Sequence, residues 1–426
     1  MLRAWKESMP AQFIDARVAD GPVLIGLYAL AGCLALLLLL RRLSARRAVV
    51  TAIIVVSTGL LGWVIAWLVS DVWNVFGVSL TPITRFWVSL LFGGLAVSVI
   101  SLVGTKWWRK VLAILSVPVF LLACAAGINV DFGQFATVRD ALGIARYTAL
   151  DTSPATGSDA LKGTIGTVTI PATVSGFVPR KALVYLPPAA RVKKPPVLPV
   201  IEFFSGQPGS PDNIFVSGHL DVVLDSYAAA HGGVAPIVVV PDQLGAPDRN
   251  PMCVDSALGN SATYLTVDVP NWINSNFAVA AAPRGWAIAG FSQGGTCSIQ
   301  LGAAHPDLYG TILDISGEIT PKRGSPAATI EAAFGGDPAA YSRAAPAAIL
   351  ADKAPYSDLT VVFAAGGNDA KYLAWANTLR DAATQAGATA SLIVSPGTAH
   401  DWHTVNYAFT SALPLIAARL GLTGVS

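Results

Sequence analysis

The chain has 426 residues, of which 53% are hydrophobic and 13% are charged, about half the charged fraction of an ordinary soluble domain. This composition excludes a disordered chain, and four cysteines are too few for a small disulfide-dense scaffold. Residues 1–130 carry 11 Lys and Arg against 4 Asp and Glu, whereas residues 131–426 carry 17 against 22. No basic stripe interleaved with aromatics is present, so we expect no nucleic-acid partner.

The first 130 residues contain apolar windows that are free of Asp, Glu, Lys and Arg. There are four of them, at residues 21–40, 48–70, 86–105 and 111–130. A helix of about 20 apolar residues crosses the ~30 Å hydrocarbon core of a bilayer. We therefore predict a four-helix transmembrane domain over residues 1–130. A cleaved signal peptide is not expected, because three more apolar windows follow the first.

The loops between these windows predict the orientation of the helices. The first loop carries Arg41, Arg42, Arg46 and Arg47, and the third carries Lys106, Arg109 and Lys110. By the positive-inside rule both basic loops face the cytoplasm, which puts both termini and everything after the fourth helix outside it. No window holds an Asp, Glu, Lys, Arg or His side chain, so we interpret the domain as an anchor, with a lipid-presenting or transport role as the alternative.

Residues 131–162 have a mixed composition and are predicted to form a linker, and residues 163–426 are predicted to form a second domain. In this domain apolar runs alternate with helical patterns. The runs predicted as strands are residues 164–171, 181–186, 197–204, 237–240, 286–289, 311–315, 359–364 and 391–394. Such runs, separated by helices, are typical of strands buried on both faces of a mostly parallel sheet. The sequence therefore predicts an α/β domain.

A G-x-S-x-G motif, Gly290-Phe-Ser292-Gln-Gly294, directly follows one of these predicted strands and precedes a helical pattern at residues 296–304. This is the context of a nucleophile elbow, in which the glycines permit a sharp turn and the serine projects at a helix N-terminus. Ser292 is therefore the predicted nucleophile. The alternative is an ordinary serine at a helix N-cap.

A serine hydroxyl needs a base to take its proton, and the base needs an orienting carboxylate. In the α/β-hydrolase chain order the acid follows the serine and the histidine follows the acid. His400, in the loop after the last predicted strand, is the expected base, with His403 as the alternative. Asp369, after the strand predicted at residues 359–364, is the expected acid, with Asp314 as the alternative.

Two backbone N–H groups are needed to bind the oxyanion of the tetrahedral intermediate. Gln293, the residue after the nucleophile, is expected to provide one of them. Gln207 is expected to provide the other from the loop Ser205-Gly206-Gln207, where Gly206 allows a tight turn after the strand predicted at residues 197–204. The alternative is a Gly/Pro turn with no role in catalysis.

Residues 160–420 resemble the esterase family that includes esterase D-type enzymes and the mycolyltransferases of mycobacteria and corynebacteria. The whole chain is similar to membrane-anchored actinobacterial members with four N-terminal helices. The matching segments are Ser205-Gly206-Gln207, Gly290-Phe-Ser292-Gln-Gly294 with Cys297, His305-Pro306, Ile315-Ser316-Gly317 and His400-Asp401-Trp402. The resemblance implies an α/β-hydrolase fold, with serine ester hydrolysis or acyl transfer that uses no metal and no organic cofactor.

Cys253 and Cys297 both lie in the second domain. An even pair in an oxidising compartment favours a disulfide, and two buried free thiols are the alternative. Cys33 and Cys124 fall inside apolar windows and are interpreted as packing residues.

These features together predict a membrane-anchored, extracytoplasmic serine esterase or acyltransferase that acts on a lipid or cell-envelope ester. The substrate class is suggested by the predicted position of the catalytic domain beside a bilayer. The Ala-rich segment at residues 318–351 is expected to form a cap over the acyl pocket. Hydrolysis of aminoacylated membrane lipids is an alternative within this class. A catalytically inactive hydrolase-fold binding module is the alternative from a different class.

Overall fold

The computed structural model describes residues 10–40, 44–157 and 161–422. Arg41 and Arg42 of the first basic loop lie outside these residues. The chain divides into two compact units, a helical unit, Met1–Arg146, and an esterase-type unit, Tyr147–Ser426. The boundary between them falls within residues 131–162, the segment predicted as a linker.

The described part of the helical unit is built from helices. These are α1 (Ala11–Ile14), α2 (Gly21–Leu39), α3 (Ala45–Trp67, continued by a π-helical turn, Leu68–Val72), α4 (Pro82–Leu102), α5 (Trp107–Phe132) and α6 (Val138–Ala141). Helices α2 to α5 are long and apolar enough to cross a membrane. Helices α3 and α5 begin before the predicted windows, and their first turns include Arg46 and Arg109, respectively. A charged residue ends an apolar window but does not interrupt the hydrogen bonds of a helix.

The described residues of the second unit are organised around a mixed sheet of eight strands. They are β1 (Thr164–Val168), β2 (Ala182–Leu186), β3 (Val200–Phe204), β4 (Ile237–Val240), β7 (Trp286–Phe291), β8 (Thr311–Ile315), β9 (Thr360–Gly366) and β10 (Thr389–Ser395). Their order in the sheet is β1-β2-β4-β3-β7-β8-β9-β10. Pairing is antiparallel from β1 to β2 and from β2 to β4, and parallel from β4 onward. The predicted α/β fold is confirmed.

Helices and one small hairpin fill the connections of this sheet. The helices are α7 (Asn213–Val216), α8 (Leu220–Ala230), α9 (Ser261–Thr263), α10 (Val269–Asn276), α11 (Gln293–Ala304), α12 (Pro326–Phe334), α13 (Pro338–Arg343), α14 (Pro346–Lys353), α15 (Ala370–Gln385) and α16 (Trp402–Arg419). The hairpin pairs β5 (Asp255–Ser256) with β6 (Gly259–Asn260). Helices α12 to α14 occupy the Ala-rich insertion between β8 and β9.

Both faces of the sheet are covered, and the described residues form a hydrophobic core on each face. Phe204 belongs to the core that contains Ile299 of α11 and Leu379 of α15. Its neighbour Phe203 points the other way, into the core that contains Phe409 of α16. Burying each of these side chains stabilises the fold by about 1.5–3 kcal/mol. The continuous apolar strand runs of the sequence are explained by this burial on both faces.

Candidate active site

Ser292 lies at the turn between β7 and α11, in an unusual backbone conformation. Its φ is +57° and its ψ is −118°, a region that non-glycine residues seldom occupy and that is found preferentially at functional sites. The Ser292 N–H donates to the carbonyl of Ile315 at 2.8 Å, which ties the turn to the end of β8. The strained serine is thereby held at the carboxyl end of the parallel sheet.

Two glycines make this turn possible by allowing backbones to approach closely. A Cβ on Gly290 would lie 2.0 Å from the carbonyl oxygen of Gly294, and a Cβ on Gly294 would lie 2.4 Å from the carbonyl oxygen of Ser205. Neither position has room for a side chain. The motif therefore has the strand, sharp turn and helix of a nucleophile elbow.

Ser292, His400 and Asp369 are brought together in one hydrogen-bonded chain. The Ser292 hydroxyl lies 2.9 Å from Nε2 of His400, and Nδ1 of His400 lies 3.1 Å from Oδ2 of Asp369. With its proton on Nδ1, the imidazole donates to Asp369 and presents Nε2 as an acceptor to Ser292. The side chains of His400 and Asp369 are only 9% and 6% exposed. The three side chains thus form a continuous hydrogen-bonded chain whose His400 and Asp369 members are largely shielded from solvent.

Aromatic rings hold the imidazole of His400 in this position. The ring centroid of Phe291 lies 5.0 Å from that of His400, and the centroid of Tyr372 lies 4.1 Å from it. Burial raises the pKa of the Tyr372 hydroxyl. His403 lies in the first turn of α16 and is exposed. Of these two histidines, His400 is the one in contact with Ser292.

Asp314, the alternative acid, lies in β8 beneath the elbow. One of its oxygens would be 2.5 Å from a Cβ on Gly295 and 2.2 Å from a Cβ on Gly317, so the carboxyl is packed against both backbones. Burial raises the pKa of Asp314 to about 7, and a backbone hydrogen bond from Gly317 opposes this rise. The carboxylate that contacts the imidazole is Asp369.

The two backbone segments expected to bind the oxyanion flank Ser292. Gln293 is the first residue of α11, where a helical N–H has no acceptor within its own helix. On the other side, a Cβ on Gly206 would lie 3.5 Å from the Cβ of Ser292, so the loop that contains Gln207 passes beside Ser292. The roles of both N–H groups stay predictions.

A buried hydrogen-bond network joins these two segments. Gln243 follows β4 and is fully buried. Its Nε2 lies 2.6 Å from the Ser205 carbonyl and 3.1 Å from Oε1 of Gln293, so it donates to both oxyanion segments. The Gln293 Nε2 in turn lies 3.1 Å from Oδ1 of Asn250 and 3.1 Å from the sulfur of Cys297.

Cys253 and Cys297 form a disulfide, with their Cα atoms 5.5 Å apart. It joins the loop after β4 to α11. The disulfide favoured by the sequence is present, and two free thiols are not found there. Because Cys297 also contacts Gln293, the covalent link lies directly behind the elbow.

Three polar residues near the candidate site were not among the site residues predicted from the sequence. They are Gln243, Asn250 and Glu318. Glu318 donates its N–H to Oγ1 of Thr296 at 2.9 Å, and its carboxylate lies 3.9 Å from Nζ of Lys322. Burial raises the pKa of Glu318, and the positive charges of Lys322 and Lys371 oppose the rise. One sequence signal was available for Gln243 and Glu318, since each follows shortly after a buried strand, where parallel sheets gather functional side chains.

Within residues 10–40, 44–157 and 161–422, no three His, Cys, Asp or Glu side chains are grouped so that they could hold a metal ion. The chain matches the Esterase family, described as "Putative esterase", over residues 178–419. The chain belongs to this family. The match contains the elbow and all three residues of the hydrogen-bonded chain, and the membership makes the protein an ester-hydrolysing enzyme.

One relative is an uncharacterised protein of Corynebacterium glutamicum, 33% identical over 376 residues that cover 84% of this chain and 87% of that protein. Among solved structures, the chain is similar to an S-formylglutathione hydrolase from Agrobacterium tumefaciens, with 19% identity and a TM-score of 0.51, covering 63% of this chain and 99% of that one. A ferulic acid esterase has 18% identity and a TM-score of 0.50, covering 61% and 98%. These two likenesses show the α/β-hydrolase fold.

Proposed function

We propose that this esterase is a membrane-anchored serine enzyme that acts on a lipid or cell-envelope ester outside the cytoplasm, through a triad of Ser292, His400 and Asp369. The observation that carries the proposal is the hydrogen-bonded chain from the Ser292 hydroxyl through the imidazole to the Asp369 carboxylate. These are the groups, in the order of contact, that activate a serine for attack on an ester.

In the first half of the reaction, Nε2 of His400 takes the Ser292 proton as the oxygen attacks the ester carbonyl. The N–H groups of Gln293 and Gln207 receive the negative charge on the carbonyl oxygen. Collapse of the intermediate breaks the ester bond, and His400 returns the proton to the leaving alcohol. The acyl group is then bonded to Ser292.

In the second half, an incoming hydroxyl compound gives its proton to His400 and attacks the acyl carbonyl. Collapse of this intermediate breaks the bond between the acyl group and Ser292, and His400 returns the proton to the Ser292 oxygen. Water as the acceptor completes hydrolysis, and an alcohol as the acceptor completes acyl transfer. Asp369 keeps the imidazole in the tautomer that accepts from Ser292 and stabilises the imidazolium formed in each half. Its position at the N-cap of α15 fixes the carboxylate for this task.

Membrane anchoring is supported by the length and apolar character of α2 to α5. The basic residues Arg46 and Arg47 precede most of α3, and Arg109 and Lys110 lie in the first turn of α5. The positive-inside rule puts these helix ends in the cytoplasm. The Cys253–Cys297 disulfide is in keeping with an oxidising compartment for the second unit.

Replacement of the nucleophile tests the catalytic part of this proposal. Ser292→Ala should abolish labelling by a fluorophosphonate and lower ester hydrolysis by roughly 10⁴–10⁶-fold, because the covalent path requires that oxygen. Ser298→Ala is the matched control on the same helix, where the hydroxyl only donates to backbone carbonyls, and it should keep its labelling. Labelling of the Ser292→Ala protein would remove Ser292 from the mechanism.

Cysteine accessibility tests the orientation. In intact cells carrying a Cys33→Ser background, a membrane-impermeant maleimide should label Thr152→Cys, in the second unit, and spare Ser44→Cys, at the start of α3. Both positions are exposed, so the difference reports the side of the membrane. Labelling of Ser44→Cys alone would place the catalytic unit in the cytoplasm.

A further inference from the structure

A polar pocket of about 450 Å³ lies between the segment that follows β4 and the segment that follows β8. Its lining includes two arginines, Arg249 and Arg323, and one carboxylate, Asp248. Both arginines are exposed, and neither forms an ion pair within the described residues. Ligand pockets commonly have volumes of about 300–1,000 Å³. The size of this pocket therefore suits a small polar group.

Hydrogen bonds next to the arginines fix the backbone on both sides of the pocket. Asn250, one residue after Arg249, donates from Nδ2 to the carbonyl of Lys322 at 2.8 Å. Arg323, the residue after Lys322, donates its N–H to Oγ1 of the fully buried Thr329 at 2.9 Å. Asn250 is the neighbour of Arg249, and Lys322 is the neighbour of Arg323. The hydrogen bond between them therefore holds the two arginine-bearing segments together.

The same segments are connected to the oxyanion loops. Oδ1 of Asn250 accepts from Nε2 of Gln293, the residue after Ser292. On the opposite side, Nε2 of Gln207 lies 3.5 Å from the carbonyl oxygen of Asp248. A group bound between the arginines would therefore lie near an ester held at Ser292.

The geometry points to a subsite for an anionic group of the substrate, a phosphate or a phosphodiester, formed by Arg249 and Arg323. Guanidinium groups form paired hydrogen bonds with the oxygens of such anions, and their charge persists at any physiological pH. Two arginines against Asp248 leave the pocket with net positive charge. This inference rests on the proposed function, because it assigns the bound anion to an ester that reacts at Ser292.

A pair of esters that differ only in the phosphate tests this subsite. Full-length enzyme in a neutral detergent is assayed with 1-butyrylglycerol and with 1-butyrylglycerol 3-phosphate. Wild type should have a kcat/KM for the phosphate ester that is roughly 10–100-fold higher, the size expected of one or two charge-assisted hydrogen bonds. The preference should decrease with added NaCl, because the arginines are exposed.

The double variant Arg249→Gln/Arg323→Gln should lose this preference and keep its kcat/KM for 1-butyrylglycerol within about twofold. Arg284→Gln is the matched control, since Arg284 is exposed and precedes β7, at the end of the sheet opposite to Ser292. Arg284→Gln should leave kcat/KM for both esters unchanged. Arg323→Glu provides a second variant, and it should reverse the preference by repelling the phosphate.

Inhibition of 1-butyrylglycerol hydrolysis distinguishes the sources of the anion. Equal inhibition by inorganic phosphate and by glycerophosphoglycerol would identify a site for free phosphate, and inhibition by the phosphodiester alone would identify a lipid headgroup. Equal kcat/KM for the two esters in wild type, or a preference that persists in the double variant, would overturn the subsite. Hydrolysis of 1-butyrylglycerol that survives Ser292→Ala would instead overturn the proposed function.

Discussion

The two units of this protein use apolar residues in opposite ways. In the helical unit large aliphatic side chains face outward, and Ile25, Leu60 and Leu122 are 67%, 61% and 60% exposed. In the esterase unit the corresponding residue types are enclosed on both faces of the sheet, as Ile201 and Phe409 are, with no exposed surface. Such an outer surface is unfavourable in water and suits a hydrocarbon solvent. The exposure of large apolar side chains therefore indicates the solvent that suits each unit, in addition to how the unit folds.

Polar groups inside the two units differ as well. In the helical unit, Ser98 and Ser116 hydrogen-bond to each other at 2.8 Å, and Thr84 donates to Asp131 at 2.6 Å. These contacts join helices. In the esterase unit, buried polar groups surround Ser292 and include acids whose pKa values are raised by burial. The comparison predicts that the chemistry of the protein resides in the buried polar groups of the esterase unit.

After replacement of Ser292, the largest loss of activity is expected from replacement of Asp369, the proposed acid of the triad. Asp369→Asn should lower kcat by up to ~10⁴-fold, because the amide favours the wrong tautomer of His400 and cannot stabilise the imidazolium. Asp314→Asn is the matched control, and its effect should be mild because burial already favours the neutral form of that side chain. Steady-state kinetics on a soluble ester checks both. A crippled Asp314→Asn with an active Asp369→Asn would transfer the role of acid to β8.

A smaller effect is expected at Gln243, which hydrogen-bonds to both oxyanion segments. Gln243→Leu should lower kcat by roughly 10–100-fold with little change in KM, because small displacements of oxyanion donors weaken transition-state binding more than substrate binding. The affinity for a trifluoromethyl ketone, which mimics the intermediate, should decrease in parallel.

Gln300→Leu is the matched control for Gln243→Leu. Gln300 is also buried and donates to a backbone carbonyl, that of Ala344, at 2.8 Å. Both variants should lose similar thermal stability, and only Gln243→Leu should lose affinity for the ketone. Equal kinetic losses in the two variants would mean that Gln243 acts only on stability.

The smallest effect concerns stability as a function of pH. Burial raises the pKa of Glu202 to about 8, opposed by a hydrogen bond from Tyr309, and the pKa of Asp314 to about 7. At these two carboxyl groups the folded state therefore binds more protons than the unfolded state, from about pH 4 up to about pH 7 for Asp314 and about pH 8 for Glu202. The free energy of unfolding should decrease as pH rises towards 8, by at most about 1.4 kcal/mol per pH unit for each group.

Thermal midpoints of the full-length protein at pH 5, 6, 7 and 8 measure this slope. Glu202→Gln and Asp314→Asn should each flatten it, because the amide does not titrate. The exposed Glu331 offers a control, and Glu331→Gln should keep the wild-type slope. An unchanged slope in both buried variants would show that other groups control the pH dependence.

Much of the fold was predictable because its signals are local. Every strand of the large sheet overlaps a predicted apolar run, and β4 and β8 have the predicted bounds. The bounds of other strands differ where packing extends or shortens a strand. For example, β7 continues through Phe291 into the elbow, and β1 ends at Val168 rather than at residue 171. Hydrophobic periodicity identifies elements more reliably than it identifies their ends.

The sequence by itself determined the composition of each unit, the elbow motif and the chain order of serine, acid and histidine. Only the tertiary structure decided which carboxylate contacts the imidazole, because both candidates come from strands near the elbow. Asp314 lies in β8, and Asp369 follows β9. Ser292 and His400 are 108 residues apart in the chain, and the order β7-β8-β9-β10 brings their loops to one edge. The hydrogen bonds of Gln243 and Asn250 could not be predicted for the same reason. Their partners are determined by strand order and loop packing, and not by proximity in the chain.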